Sequence, residues 1–502
     1  MVKLTMDGRD VEVREGLNLI EAARSVGIEI PYFCYHPGLR VVGQCRICLV
    51  EIEGIPKLQA ACATPVREGM VVFTDNDRVR KLRSQVMEFL LINHPLDCPI
   101  CDQAGECDLQ DFCEAHSFPK SRYTEAKRVN PKLERRKIGP HVFQNMNRCI
   151  HCSRCIRFCE EIAGTGELTF AERGYKMVID THDGRPLENP WSACTADICP
   201  VGALTVYDFR FHERSWNLTS TPSICPHCGN GCAIRLEHRS GSVKRFLPAA
   251  NPLINHHWLC DFGRFSYDWM NGGDIFEPMQ GGEPVPWTDA LKEIAGKLSS
   301  DNRTVAVITP FQSCEEMALL KTIADTVMIR RAPGEERKIK NEQGHWMVSH
   351  NAGPNTQGAA ALGISLFDAY PADARVLFLS ENLFPAPLTE EEVRSIPSDA
   401  FVIAETRHRG PLAKRADIVL PGHLFHEKEG TYLNDHRILQ HVRPSIQPAA
   451  GTRGLLSYGS EILAGMGKEC PGPAAEAIFQ TIEAFQGLTY ADLPSRLEKI
   501  RG

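Results

Sequence analysis

Twenty cysteines set the terms for what this 502-residue chain can become. Only Cys314 and Cys470 lie beyond Cys260; the others crowd the front half. The amino terminus, MVKLTMDGRDVEV, alternates polar and apolar residues and carries neither a basic leader nor an apolar core, so it does not read as a signal peptide. No apolar run reaches the roughly 18 residues of a membrane span. Thiols kept in a reducing cytoplasm are not expected to close disulfides, and metal binding is the better use for so many. With 43% hydrophobic and 24% charged residues the chain has a globular balance, and its net charge of −7 gives no sign of nucleic-acid binding. Its length calls for three or more domains.

The first cysteine set is Cys34, Cys45, Cys48 and Cys62, spaced C-x10-C-x2-C-x13-C. Ahead of it, two alternating runs flank Asp7-Gly8, a hairpin-turn signal. LNLIEAARSVGI then reads as a short helix with Asn18 at its N-cap. Hairpin, helix and cysteine loop follow the order of the β-grasp ferredoxins, in a variant with a longer loop than the plant-type spacing. Gly38 and Gly43 are expected to let backbone approach the sulfides. Four thiolates suit a [2Fe–2S] cluster; a structural zinc ion is the alternative, disfavoured by the lead-in.

The second set is His94, Cys98, Cys101 and Cys107 in HPLDCPICDQAGEC. The preceding segment spaces Val79, Leu82, Val86, Phe89 and Leu90 near a helical period, which puts His94 at a helix end, with Pro95 turning the chain toward the cysteines. Three cysteines and one histidine also make a structural zinc set, so this motif by itself is ambiguous. The third set is Cys149, Cys152 and Cys155 in RCIHCSRCIRFC, a bacterial-ferredoxin run whose fourth ligand comes from a later Cys-Pro, Cys199 in DICPVGAL. Cys159 and Cys194 are then left over, since no second complete run exists. Zinc proteins do not use this spacing. The fourth set is Cys225, Cys228, Cys232 and Cys260, again suited to [4Fe–4S], with His227 a bystander.

CRICLVEIEG, HPLDCPICDQAGECDLQD, RCIHCSRCIRFC, DICPVGAL and CPHCGNGC stand in one order, and in that order they resemble the family of large iron–sulfur (G) subunits of respiratory NADH–quinone oxidoreductase, through about Arg264. The resemblance implies that His94 joins Cys98, Cys101 and Cys107 on a [4Fe–4S] cluster. A neutral imidazole in place of a thiolate lowers the cluster's negative charge, the lever that raises potential in Rieske centres. More loosely, NAGPNTQGAAALGI and ADIVLPGHLFHEKEGTYLN resemble that family's molybdopterin-oxidoreductase region, with ARVLFLSEN and DAFVIAETR as buried strands between them. The region is short and shows no metal loop. Cys314 sits at a helix start, so no molybdopterin is expected.

The fold class expected is therefore multidomain, α+β and α/β. It comprises a β-grasp [2Fe–2S] domain (1–78), a one-histidine, three-cysteine domain (79–119), a basic linker (120–139), a [4Fe–4S] ferredoxin-like domain (140–217), a molybdopterin-oxidoreductase-type [4Fe–4S] domain (218–264) and a degenerate α/β domain (265–502). The linker, KSRYTEAKRVNPKLERRK, reads first as a solvated connector and second as a docking strip for an acidic partner. GTGEL at Gly164 lacks the context of a nucleotide loop. The function expected is an electron wire with one [2Fe–2S] and three [4Fe–4S] clusters and no catalytic residue of its own. The partners implied are a flavin- and NADH-binding subunit, a small [2Fe–2S] subunit and an acceptor subunit. Its place would be cytoplasmic, peripheral at the membrane through those partners. The alternatives are a soluble NAD-coupled hydrogenase, formate dehydrogenase or other reductase complex, and, further off, a molybdenum or tungsten catalytic subunit.

Overall fold

The computed structural model describes all residues except 119, 130–134, 301, 331–338, 341–345, 349–352, 382–386, 471 and 497–502. They divide into two compact units, Met1–Leu218 and the chain from Thr219 onward.

In the first unit, β1 (Val2–Met6) and β2 (Arg9–Val13) form the expected hairpin. Asp7 and Gly8 turn it with φ angles of 49° and 77°, the left-handed pair that a two-residue turn demands. The helix α1 (Leu19–Ser25) begins at Asn18. The Asn18 side chain accepts from the N–H groups of Ile20 and Glu21, and Glu21 accepts from the Asn18 N–H in return, a reciprocal box that satisfies otherwise orphaned donors. Its Leu19, Ile20, Ala22 and Ala23 are buried in one core with Val2, Leu4 and Met6 of β1. The strands β3 (Leu49–Ile52), β4 (Gln59–Ala60) and β5 (Val71–Phe73) complete a sheet in the order β2-β1-β5-β3-β4, with β1 and β5 parallel. Cys34, Cys45 and Cys48 lie in the loop between α1 and β3, and Cys62 just after β4.

The helix α2 (Asp77–Leu91) ends three residues before His94. Its buried face differs from the expected apolar row: Val79, Arg83 and Met87 face inward, whereas Phe89 is 76% exposed. The inward arginine explains the rotation, because its Nη2 donates to the carbonyl of Thr74. The helices α3 (Asp108–His116) and α4 (Arg154–Glu161) start beside Cys107 and Cys152. The basic segment is partly described, residues 130–134 lying outside. What is described is not simply a solvated connector. Lys127 Nζ donates to the carbonyls of Leu91 and Ile92, Arg128 N–H donates to Asn93, and Arg122 pairs with Glu88. The segment thus supplies cations where the end of α2 presents unpaired carbonyls.

The second unit opens with an antiparallel sheet of Thr219–Ile224, Ala233–Arg239 and Ser242–Pro248. It continues as an α/β sheet. Parallel strands Ile418–Leu420, Phe401–Glu405, Val376–Ser380, Thr304–Ile308, Thr326–Ile329 and Ser365–Leu366 lie side by side, followed by the antiparallel strands Met279–Gln280 and, at the edge, Glu283–Pro284. Val376–Ser380 is buried at every position, as its continuous apolar run implies. Cys314 opens a helix, Cys314–Ile323, capped by Ser313, as its sequence suggests. No described helix is long and apolar enough to cross a membrane.

Replacing Asn18 with alanine removes the cap of α1 and is expected to cost ~1 kcal/mol. Hydrogen exchange should show faster exchange of the Ile20 and Glu21 amides and unchanged exchange beyond Thr219.

Candidate metal centres

The first site is closed by the loop after α1. Cys34, Cys48 and Cys62 are each 1% exposed. The backbone N–H of Cys34 donates to Cys45 Sγ at 3.4 Å, and the thiols of Cys34 and Cys45, and of Cys48 and Cys62, hydrogen-bond in pairs. The Cys45 bond, against the opposing push of burial, brings the Cys34 thiol down to about 5. Gly43 has φ +60°, the left-handed conformation its residue type allows, with open space where a Cβ would stand.

The second site is less closed. Cys101 and Cys107 are buried and Cys98 is exposed. Burial pushes the Cys107 thiol up to about 12, and its Sγ donates to the carbonyl of Pro200 at 3.8 Å. His94 is pushed down to about 4 by burial and by the cations Arg148 and Lys127, so its ring is neutral near pH 7, the form that ligates metal. Its Nδ1 is buried without a hydrogen-bond partner. The ring lines a cavity of about 260 Å³ shared with Asn147, Cys149 and His151. The three cysteines of this set share one loop, while His94 lies toward the third set.

The third site is a small cavity lined by Cys149, Cys152, Cys155 and Cys199, by Arg154, and by apolar side chains such as Met146, Ile150 and Val201. His151 and Ser153 adopt positive φ, 55° and 62°, which bends the loop around the cavity. The His151 N–H donates to Cys149 Sγ at 3.3 Å, and Cys199 Sγ donates to the Val201 carbonyl at 3.0 Å. Burial pushes Cys199 up to about 11. Cys159 and Cys194 are fully buried but do not line this cavity.

The fourth site belongs to the second unit. Cys225, Cys228, Cys232 and Cys260 are all buried, and burial pushes Cys260 up to about 12. Asn230 Nδ2 donates to Cys232 Sγ at 2.9 Å, and the Gly263 N–H donates to Cys260 Sγ at 3.3 Å. His227 stands beside the set, edge-on to Phe262 and Trp269, its Nε2 buried without a partner.

Two glycines sit where a side chain would strike sulfur. A Cβ on Gly202 would fall 2.4 Å from Cys101 Sγ, and one on Gly263 would fall 2.8 Å from Cys225 Sγ. Among the described residues no three histidine or acidic or cysteine side chains converge on one metal ion; a cluster spreads its thiolates over separate irons and does not require that convergence. Buried thiols with backbone N–H groups aimed at sulfur, an orphaned imidazole nitrogen and glycine-cleared approaches together fit iron–sulfur ligation.

The comparisons with known proteins find five matching regions. Family models match a 2Fe-2S iron-sulfur cluster binding domain (1–77), an NADH-ubiquinone oxidoreductase-G iron-sulfur binding region (83–122), an NADH-quinone oxidoreductase subunit 3 ferredoxin-like domain (139–205), a molybdopterin oxidoreductase Fe4S4 domain (218–272) and molybdopterin oxidoreductase (363–457). The NADH-quinone oxidoreductase G subunit of Rickettsia bellii is 44% identical over 333 residues, 65% of this chain and 48% of that one. The chain is a homologue of that subunit. The NADH-ubiquinone oxidoreductase 75 kDa subunit of Reclinomonas americana is 42% identical over 330 residues, 64% of this chain and 47% of that protein. The chain spans about half the length of these curated relatives. A solved NAD+-reducing [NiFe]-hydrogenase in the H2-reduced state aligns at 29% identity over 42% of this chain and 90% of that one, with a TM-score of 0.38.

The buried arginines around the cysteines escaped the reading of the sequence. The signal was there, since Arg148, Arg154 and Arg157 lie within two residues of cysteines of the third set.

The cavity lining separates Cys199 from Cys159. Cys199→Ser is expected to lose one EPR-detectable [4Fe–4S] signal, and Cys159→Ser to keep every signal. Loss of a cluster from Cys159→Ser alone would reverse the assignment.

Proposed function

We propose that the chain is an electron carrier in an NADH-linked oxidoreductase complex. It takes electrons from a flavin- and NADH-binding subunit, alongside a small [2Fe–2S] subunit, and delivers them to an acceptor module, quinone through a membrane arm being the first choice. The observation that carries this reading is one apolar cluster in the first unit, where cysteines of three sets meet: Cys34 and Cys45, Cys107, and Cys149, Cys152 and Cys199, packed with Phe33, Ile47, Met87, Leu109, Val201 and Ala203. Redox centres sharing one apolar wall are shielded from water and close to one another, which outer-sphere transfer needs.

On this reading Cys34, Cys45, Cys48 and Cys62 hold a [2Fe–2S] cluster. Three [4Fe–4S] clusters sit on His94 with Cys98, Cys101 and Cys107, on Cys149, Cys152, Cys155 and Cys199, and on Cys225, Cys228, Cys232 and Cys260. When bound, the clusters supply one-electron redox chemistry. The chain's own residues exclude water, donate N–H groups to sulfur and fix the order of sites. No general acid, base or nucleophile is assigned. The domain bounds proposed are 1–78, 79–119, 140–217, 218–264 and 265–502, joined at 120–139 by the basic segment.

A pterin has no role in this proposal. Among the described residues, side chains near the carboxyl ends of the parallel strands, where such sheets bind ligands, bond to one another. Gln312 donates to Ser380 Oγ and to Glu405, Ser380 donates to Glu405, and Tyr458 donates to Glu405 Oε1. Lys428 pairs with Glu316, and Arg407 with Glu427.

Anaerobically purified protein is expected to contain about 14 iron atoms per chain with matching labile sulfide. Substantial zinc with little sulfide would contradict the wire, and about one molybdenum or tungsten per chain would replace it with a catalytic subunit.

His94→Cys should keep its cluster and lower that cluster's midpoint, because a thiolate adds negative charge and favours the oxidised form. His94→Ala should leave the cluster labile. An EPR-monitored redox titration in which no midpoint moves in His94→Cys would show that His94 is not a ligand.

A further inference from the structure

NRCIHCSRCIRFC carries three arginines among its cysteines, and all are buried: Arg148 at 3%, Arg154 at 5% and Arg157 at 3% exposure. Burying a guanidinium is costly unless an anion or a full set of acceptors compensates. Arg154 donates to the carbonyl of Ile198 beside Cys199 and lies 3.9 Å from Asp108 Oδ2, next to Cys107. The other two make closer bonds outside their own site. Arg157 donates to the carbonyls of Arg40 and Cys34, each at 2.5 Å, and to Ser153 Oγ at 3.3 Å. These acceptors include no carboxylate, Glu161 acting on the guanidinium only through space, and one belongs to the first residue of the first cysteine set. Arg148 turns the opposite way. Its Nε and Nη2 lie 3.1 and 2.9 Å from Asp97 Oδ2, next to Cys98. Its Cδ lies 3.7 Å from the point where a Gly202 Cβ would stand, itself 2.4 Å from Cys101 Sγ.

We propose that Arg148 and Arg157, although carried by the third cysteine segment, set the redox potentials of the neighbouring sites, Arg148 that of the second and Arg157 that of the first. The inference rests on the reading of those sites as iron–sulfur centres. One-electron reduction adds one negative charge to a site already made anionic by its thiolates. A fixed cation in an apolar, low-dielectric surrounding stabilises that reduced form and raises the midpoint. The third segment is thereby the electrostatic hub of the first unit: its cysteines hold one centre and its arginines tune the two beside it.

The test is a dithionite titration of the full chain followed by EPR, on wild type, Arg148→Met and Arg157→Met, with iron and sulfide assayed in each sample. Arg157→Met should shift the [2Fe–2S] midpoint downward, and Arg148→Met that of the one-histidine, three-cysteine centre. Each shift should reach a tenfold fall in the reduced-to-oxidised ratio at fixed potential, about 59 mV for a one-electron couple. The centre on Cys225, Cys228, Cys232 and Cys260 should not move in either variant. Arg148→Lys and Arg157→Lys, which keep the charge, should restore most of each shift. Asp97→Asn leaves Arg148 without its counter-charge and should move the second midpoint upward, which decides the matter should Arg148→Met lose its cluster. Unchanged midpoints with full iron and sulfide, or an unchanged midpoint in Asp97→Asn, would overturn the proposal while leaving the carrier reading intact. Wild-type protein without iron and sulfide would overturn the carrier reading itself.

Discussion

The bond from Arg157 on α4 to the carbonyl of Cys34 holds the first cysteine loop, which has little regular structure of its own. A loop rich in thiols cannot be held by strand or helix ladders, so its conformation depends on what packs against it. Here the packing is mutual. The first loop lends Phe33 and Ile47 to the apolar cluster, the second set lends Cys107 with Leu109 after it, and the third lends Cys149, Cys152, Val201 and Ala203. The short stretch after Cys199 ties the rest together. Cys199 faces the third cavity, Pro200 accepts from Cys107, and Gly202 leaves room for Cys101. A cysteine of one set is thus only a few residues along the chain from the residues that pack against the next.

Burial governs the chemistry of these thiols. It raises Cys107, Cys149, Cys152, Cys155, Cys199, Cys225, Cys232 and Cys260, so without iron they are protonated. Ligation must displace those protons, and the free energy of assembly becomes part of the stability of the loops. The neutral His94 fits the same logic, since its ring gives up no proton to become a ligand.

Much of this was legible in the sequence because it is local. The Asp7-Gly8 hairpin, the Asn18 cap and the buried strand Val376–Ser380 follow from turn chemistry, capping and apolar runs, and cysteine spacing grouped the thiols before any fold was known. What was not legible depends on neighbours distant in sequence. Arg83 takes an inward position on α2 because Thr74 offers a carbonyl, which turns Phe89 outward. The basic segment is pinned by the carbonyls at the end of α2. Helical spacing placed His94 near its cysteines along the chain, yet its ring faces a cavity it shares with Cys149. The buried arginines look like ordinary surface charge until the three loops come together.

On the proposed reading, three centres in the first unit form one electronically connected group. Magnetic coupling reports that connection directly. EPR spectra of the full chain, recorded at stepwise reduction, should show the [2Fe–2S] signal broaden and relax faster as the centre on Cys149, Cys152, Cys155 and Cys199 takes up its electron, and Cys199→Ser should abolish the change. A fully reduced spectrum equal to the sum of isolated centres, unchanged in that variant, would contradict the account.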